Sequence, residues 1–256
     1  MSPLFFREEG SGPPLILIHG FCETHEIWSE FVKPLTSKFR VLTPDLPGFG
    51  KSDILPGFFT IDQVADEVAH WITEVGIPPA AVIGHSLGGY ITLSVAERYP
   101  HLLKGFGLFH STAFADSQEK KESRNKVMDF VSKHGVPPFL STFVPGLFFD
   151  KLNPAMKTVH GIASQTKEMT LLRYTSAMRD RLDRSSVLRE NEFSKLLIAG
   201  VEDALVPIQV SREMAQMSQK SSFFELPKVA HMGFFEAKTE CQLIITRFTE
   251  GLFLNN

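Results

Sequence analysis

Gly84-His85-Ser86-Leu87-Gly88 sits between an apolar run, Ala80-Ala81-Val82-Ile83, and a stretch with helical spacing, Leu87 to Tyr99, that Pro100 closes. A glycine two residues to either side of a serine, at a strand-to-helix junction, marks a sharp turn that lifts the serine hydroxyl clear of a sheet. Gly84 and Gly88 lack the Cβ atoms that would collide where strand and helix approach. A hydroxyl is a weak nucleophile until a base takes its proton. The helix N-terminus behind Ser86 offers N–H groups to developing negative charge. Ser86 is therefore the candidate nucleophile.

Working outward, three more apolar runs have strand character: Leu15-Ile16-Leu17-Ile18, Val41-Leu42-Thr43 and Gly105-Phe106-Gly107-Leu108-Phe109. Ile61 to Val75 carries apolar residues at 61, 64, 65, 68, 69, 71, 72 and 75, which is helical spacing. Buried strands alternating with helices predict an α/β fold with a mostly parallel sheet flanked by helices. Leu4 to Arg7 is expected to pair as an outer antiparallel strand, turned by Gly10-Ser11-Gly12. The alternation stops after Phe109. Residues 112–190 are helical in character and carry 13 Lys and Arg against 9 Asp and Glu, the basic part of an acidic chain. Strand signals return at Leu196 to Gly200 and Phe223 to Leu226. A helix follows Pro207, and another spans Ala237 to Phe253. The expected organisation is a core of 1–111 and 191–256, split by a helical insertion at 112–190.

Composition narrows the function classes. The chain has 256 residues, 43% hydrophobic and 21% charged, with a net charge of −3. That is ample material for a core and gives no electrostatic support for binding nucleic acid. Two cysteines, Cys22 and Cys241, make no disulfide framework. No signal peptide is legible, and no run approaches the ~18 apolar residues of a membrane helix, so a cytoplasmic location is expected. The candidate metal neighbours His19, Glu23, His25 and Glu26 lack ligand spacing, so neither metal nor cofactor is expected. Gly48-Phe49-Gly50-Lys51-Ser52 ends like a phosphate-binding loop, but the position that requires the first glycine is Asp45.

A serine elbow needs a base, an acid and an oxyanion hole, and in such elbows the acid and then the base follow the serine. His134, His160 and His231 lie downstream of the strand at 105–109. The first two fall in the insertion, which leaves His231, just after the last strand. The strand 196–200 runs into Glu202-Asp203, of which Asp203 is preferred as the acid and Glu202 is the alternative. His85 is expected to pack beside Ser86, and His101 and His110 to be surface or strand-end residues. The N–H groups of Phe21, in His19-Gly20-Phe21, and of Leu87 are the expected oxyanion donors.

Together His19-Gly20-Phe21, Asp45 through Ser52, Gly84 through Gly89, Gly200 through Asp203 with Pro207, and His231 resemble the α/β-hydrolase superfamily. The similarity is to its small cap-bearing branch of carboxylesterases, enol-lactonases and carrier-protein methyl ester esterases. Ser86 sets the chain apart from the dehalogenases and epoxide hydrolases, which carry Asp there. The resemblance implies a serine esterase acting on a small or medium carboxylic ester, thioester or lactone, either free or carried on an acyl carrier. It implies a monomer or homodimer, with 112–190 as a cap over Ser86. Phe139, Phe143 and Phe148 are the foremost candidates for an apolar acyl pocket, with Phe114, Phe130, Phe149, Met156, Met169 and Met178 behind them. The basic cluster Lys120, Lys121, Arg124 and Lys126 reads first as a solvated helix face, with attraction of an anionic substrate or carrier protein as the alternative. Two other activities fit the same residues. A ligand sensor of this fold would cleave p-nitrophenyl esters only slowly, and a cofactor-free haloperoxidase would brominate in acetate and peroxide.

Overall fold

The apolar runs become strands. A computed structural model describes residues 4–190 and 192–254, and among these seven strands form one sheet. They are β1 (Phe6–Glu9), β2 (Pro14–Ile18), β3 (Arg40–Pro44), β4 (Ala80–His85), β5 (Leu103–Phe109), β6 (Ser194–Gly200) and β7 (Ser221–Leu226). Their order is β1-β3-β2-β4-β5-β6-β7. All pairs are parallel except β1 with β3. Every residue of β2 and β4 is buried, which is why they read as unbroken apolar runs. The edge strand β7 alternates, and Phe224 stays exposed.

The outer strand starts two residues later than the sequence suggests, and it pairs with β3, not with its neighbour in sequence, β2. The Gly10 to Gly12 turn explains this. Both glycines have positive φ, and a Cβ on Gly10 would lie 2.4 Å from the Thr36 and Phe39 carbonyl oxygens. The chain thus passes directly beneath the segment that enters β3.

Helices cover both faces. On one side α1 (Ile61–Glu74) packs on α2 (Leu87–Arg98). Thr60 and Gln63 cap α1 reciprocally, and the helix buries Ile61, Val64, Ala65, Val68, Ala69, Trp71 and Ile72. On the other side Trp28, Phe31, Phe109 and Phe234 form an aromatic cluster against β2, β4 and β6. After β5 come α3 (Gln118–His134), α4 (Val136–Gly146), α5 (Ala155–Ala163), α6 (Glu168–Arg179) and α7 (Ser185–Glu190). Of α3, only Val131 is buried. The α6 helix is fixed to the loop after β3 through Thr170 Oγ1 to Gly48 O (3.1 Å), Arg173 Nη1 to Leu55 O (2.8 Å) and Tyr174 OH to Pro47 O (2.9 Å). The chain continues through α8 (Ile208–Ala215), a single-turn α9 (Gly233–Glu236) that the sequence pattern did not reveal, and α10 (Lys238–Leu254). No helix among the described residues is long and apolar enough to cross a membrane.

Candidate active site

Ser86 links β4 to α2 with φ 50° and ψ −112°. A left-handed φ on a non-glycine residue costs on the order of 1–3 kcal/mol, so the surroundings must impose it. Ser86 N–H donates to Phe109 O (2.9 Å), and Ser111 Oγ–H donates to Ser86 O (2.7 Å). A Cβ on Gly84 would sit 2.2 Å from the Gly88 backbone, and one on Gly88 would sit 2.4 Å from Ile18 O. Leu87 opens α2, and no preceding helical turn accepts its N–H.

The loop after β2 is built on buried polar groups. His19 Nδ1–H donates to Gly20 O (2.8 Å), and its Nε2 accepts from Leu46 N–H (2.9 Å). Burial keeps this imidazole neutral, holding its pKa below the ordinary value. Gly20 N–H donates to Glu23 Oε2 (2.7 Å). Cys22 follows with φ 59°, and burial pushes its thiol above the ordinary range, so it stays protonated. The Gly48 to Ser52 segment is held by Asp45, which accepts from His25 N–H (2.7 Å), His25 Nδ1–H (2.9 Å) and Lys51 N–H (2.9 Å). Among the described residues no His, Cys, Asp and Glu group could hold a metal.

Glu23 has a second partner that the sequence did not reveal. His85 Nδ1 lies 3.1 Å from Glu23 Oε2, and His85 Nε2 lies 3.0 Å from His231 O. A carboxylate and a carbonyl only accept, so His85 donates from both nitrogens and is an imidazolium. Burial opposes the charge, but Glu23 outweighs it and raises the His85 pKa; the Glu23 carboxyl is lowered in turn against the same burial. The pair joins the Gly20 loop, the elbow and the His231 loop at full burial. Glu23→Gln removes the counter-charge of a buried imidazolium, an expected loss of about 3 kcal/mol at neutral pH. The lowered Glu23 pKa means its contribution is present above the ordinary value of 4.5 and disappears as pH falls through the folded-state value. The gap between wild type and variant in urea unfolding should therefore narrow toward acid pH. A gap that is constant with pH would contradict the charged pair.

His231 Nδ1 lies 2.7 Å from Asp203 Oδ2. The other Asp203 oxygen, Oδ1, accepts from Leu205 N–H (2.9 Å) and Val206 N–H (3.1 Å). Burial alone would raise the Asp203 pKa, but His231 and His110 hold it far below the usual carboxylate range. Gly200 makes the approach sterically possible, since a Cβ there would meet Ala230 O at 2.1 Å. The carboxylate facing His231 is thus that of Asp203, not Glu202. His110 does end a strand, as expected, but it is wholly buried. Its Nε2 accepts from Gly233 N–H (3.1 Å), and its Nδ1 lies 3.5 Å from Asp203 Oδ2. Burial pushes its pKa down to about 4 and keeps it neutral. A strand-end histidine carries no sequence signal for this role.

Ser86 and His231 line one cavity of about 340 Å³ together with Phe21, Phe139 and Phe143. Phe143 packs edge-on to Phe21 (6.0 Å between centroids) and stacks on Phe139 (4.9 Å). Phe148 corrects the sequence reading. It lies outside the lining, wholly buried and packed on Phe235, because the chain turns at Leu147, whose carbonyl accepts the His231 N–H (2.9 Å). Met178 lines the cavity, whereas Phe130, Phe149 and Met169 are exposed. Lys120 and Arg124, read from sequence as a solvated face, also line it.

A family profile described as alpha/beta hydrolase fold matches residues 13–134. The chain is 30% identical over 251 residues to the pimeloyl-[acyl-carrier protein] methyl ester esterase of Sodalis glossinidius, covering 91% of this chain and 93% of that one. The chain belongs to the α/β-hydrolase family. A solved thermophilic esterase from Thermogutta terrifontis superposes on this chain with a TM-score of 0.91 at 27% identity, covering 97% of this chain and 93% of that one. An uncharacterized Mycobacterium tuberculosis protein is 33% identical over 98 residues, and there the match spans only 29% of the relative's length.

Proposed function

We propose that this α/β hydrolase is a serine esterase that cleaves small or medium carboxylic esters, with Ser86 as nucleophile, His231 as base and Asp203 as acid. The observation that carries the reading is the buried His231–Asp203 contact of 2.7 Å, made through Nδ1, beside a cavity that His231 shares with Ser86. With Nδ1–H donated to Asp203, Nε2 is the nitrogen left to take the serine proton. Ser86 Oγ attacks the ester carbonyl. The Phe21 and Leu87 N–H groups hold the oxyanion, each worth about 3–4 kcal/mol in the transition state. His231 protonates the departing alcohol, then takes a proton from water as it attacks the acyl-enzyme. Asp203 stays ionised throughout. Segment 112–190 acts as the cap and supplies Phe139 and Phe143 to the acyl pocket, and thioesters and lactones share the same chemistry. The Sodalis glossinidius relative is named for an ester on an acyl carrier protein, which keeps a carrier-bound substrate within the proposal. A fluorophosphonate probe tests the nucleophile directly. One adduct on the peptide bearing Ser86, blocked by prior incubation with an ester, is the expected result. Labelling at another residue, or none under conditions that label a reference esterase, would overturn the assignment.

A further inference from the structure

Four residues of α3 line the cavity at helical spacing: Lys120, Ser123, Arg124 and Val127. The α3 wall of the cavity therefore brings two cations, Lys120 and Arg124, while Val127, Phe139, Phe143 and Met178 give it apolar lining. No carboxylate is among its lining residues. Arg124 is a built feature, not a mobile surface charge. Its Nε donates to Asp116 Oδ2, and Asp116 is almost wholly buried, with Arg181 Nη1 on its other oxygen at 2.6 Å. One carboxylate thus faces two guanidiniums, and the cluster carries one excess positive charge. Arg124 Nη1 points to the Met178 Sδ at 3.6 Å, a soft and weak acceptor on the cavity wall. Lys120 Nζ spends one of its three donors on Leu205 O (3.1 Å), also on the wall.

We infer that the cavity selects esters bearing a second, ionised carboxylate, the half-esters of short dicarboxylic acids, with the ester carbonyl at Ser86 and the distal carboxylate on Arg124 and Lys120. The inference rests on the esterase reading and names the substrate class of that site. The guanidinium edge left open by Asp116 matches a planar carboxylate, and the apolar wall matches the methylenes between the two ends. The acyl C–O bond breaks, the alcohol leaves with the serine proton, and water adds to the acyl-enzyme. The products are the alcohol, the dicarboxylate and one proton.

Monomethyl glutarate and methyl pentanoate test this, because they differ only in a carboxylate replacing a methyl group. The expected kcat/KM ratio favours the half-ester by about tenfold or more at low salt, the scale of one charge-assisted hydrogen bond, and it shrinks as salt rises. Lys120→Met, at an exposed position that does not endanger the fold, lowers the ratio, and Arg124→Gln lowers it further. Lys126→Met removes the same charge from α3 away from the cavity and leaves the ratio unchanged. A neutral ester cleaved as well as the half-ester, or a ratio that survives both cavity substitutions, overturns the inference. The binding arm is independent of turnover. Glutarate should raise the melting temperature of Ser86→Ala more than pentanoate does, and lose that advantage when Lys120→Met is added. If neither ester is hydrolysed yet glutarate alone stabilises, the esterase reading fails and the anion site stands. Equal stabilisation by both acids removes the site.

Discussion

Ser86→Ala abolishes ester hydrolysis, with kcat falling by at least about 10⁴-fold, while the protein stays folded. The size of the loss follows from what remains. The Phe21 and Leu87 N–H groups and the cavity still bind the ester, but no acyl-enzyme forms, and water is the only nucleophile. Stability is expected to move little. The Ser86 backbone is held at φ 50° by its N–H bond to Phe109 O and by the Ser111 hydroxyl on its carbonyl, and alanine keeps both. Steady-state rates on p-nitrophenyl butyrate, with calorimetric melting of both proteins, measure this. A variant that keeps more than a hundredth of the activity would remove Ser86 from the mechanism.

Asp203→Asn is expected to lower kcat by about 10³–10⁴-fold with little change in KM. The local bonding fixes the direction. Oδ1 of residue 203 accepts from the Leu205 and Val206 N–H groups, so an asparagine places its oxygen there and its amide NH₂ toward His231. An NH₂ facing Nδ1 selects the tautomer in which Nε2 carries the proton, and that nitrogen can no longer accept one from Ser86. The variant also loses a pH dependence. With its pKa held low, Asp203 stabilises the native state above the ordinary carboxylate range, and that stability disappears as pH falls toward the folded-state value. The asparagine variant should show a flatter acid limb in urea midpoints. Glu202→Gln is the comparison, with no loss of this size expected. If the two variants slow the enzyme equally, the assignment of the acid fails.

How much of this was legible from sequence depended on burial. The inner strands β2, β4 and β5 bury nearly every residue, so their apolar runs stand out. The pairing of β1 with β3 is decided by Gly10 passing under Thr36 and Phe39, a long-range contact without a local signature. Ser86, Asp203 and His231 could be named as candidates because each lies within a few residues of the end of a strand, in the order serine, acid, histidine. The Glu23–His85 pair and His110 could not, because a buried charge and a solvated one are the same letter in a sequence. Phe148 was misread because nothing local marks that α4 ends at Gly146 and that the chain turns at Leu147. Lys120 and Arg124 were read as a wet face, although 120, 123, 124 and 127 share one side of α3.

The helix α6 is riveted to the core at successive turns, through Thr170, Arg173 and Tyr174. The α3 helix is joined to α6 through Arg179 Nη1 on Asn125 Oδ1 (2.7 Å) and Arg124 Nη1 on Met178 Sδ (3.6 Å), and Lys120 reaches Leu205 O in the loop that follows β6. Substitutions along α3 and α4 that reshape the cavity are therefore expected to leave these three moorings of α6 to the core, at Thr170, Arg173 and Tyr174, intact.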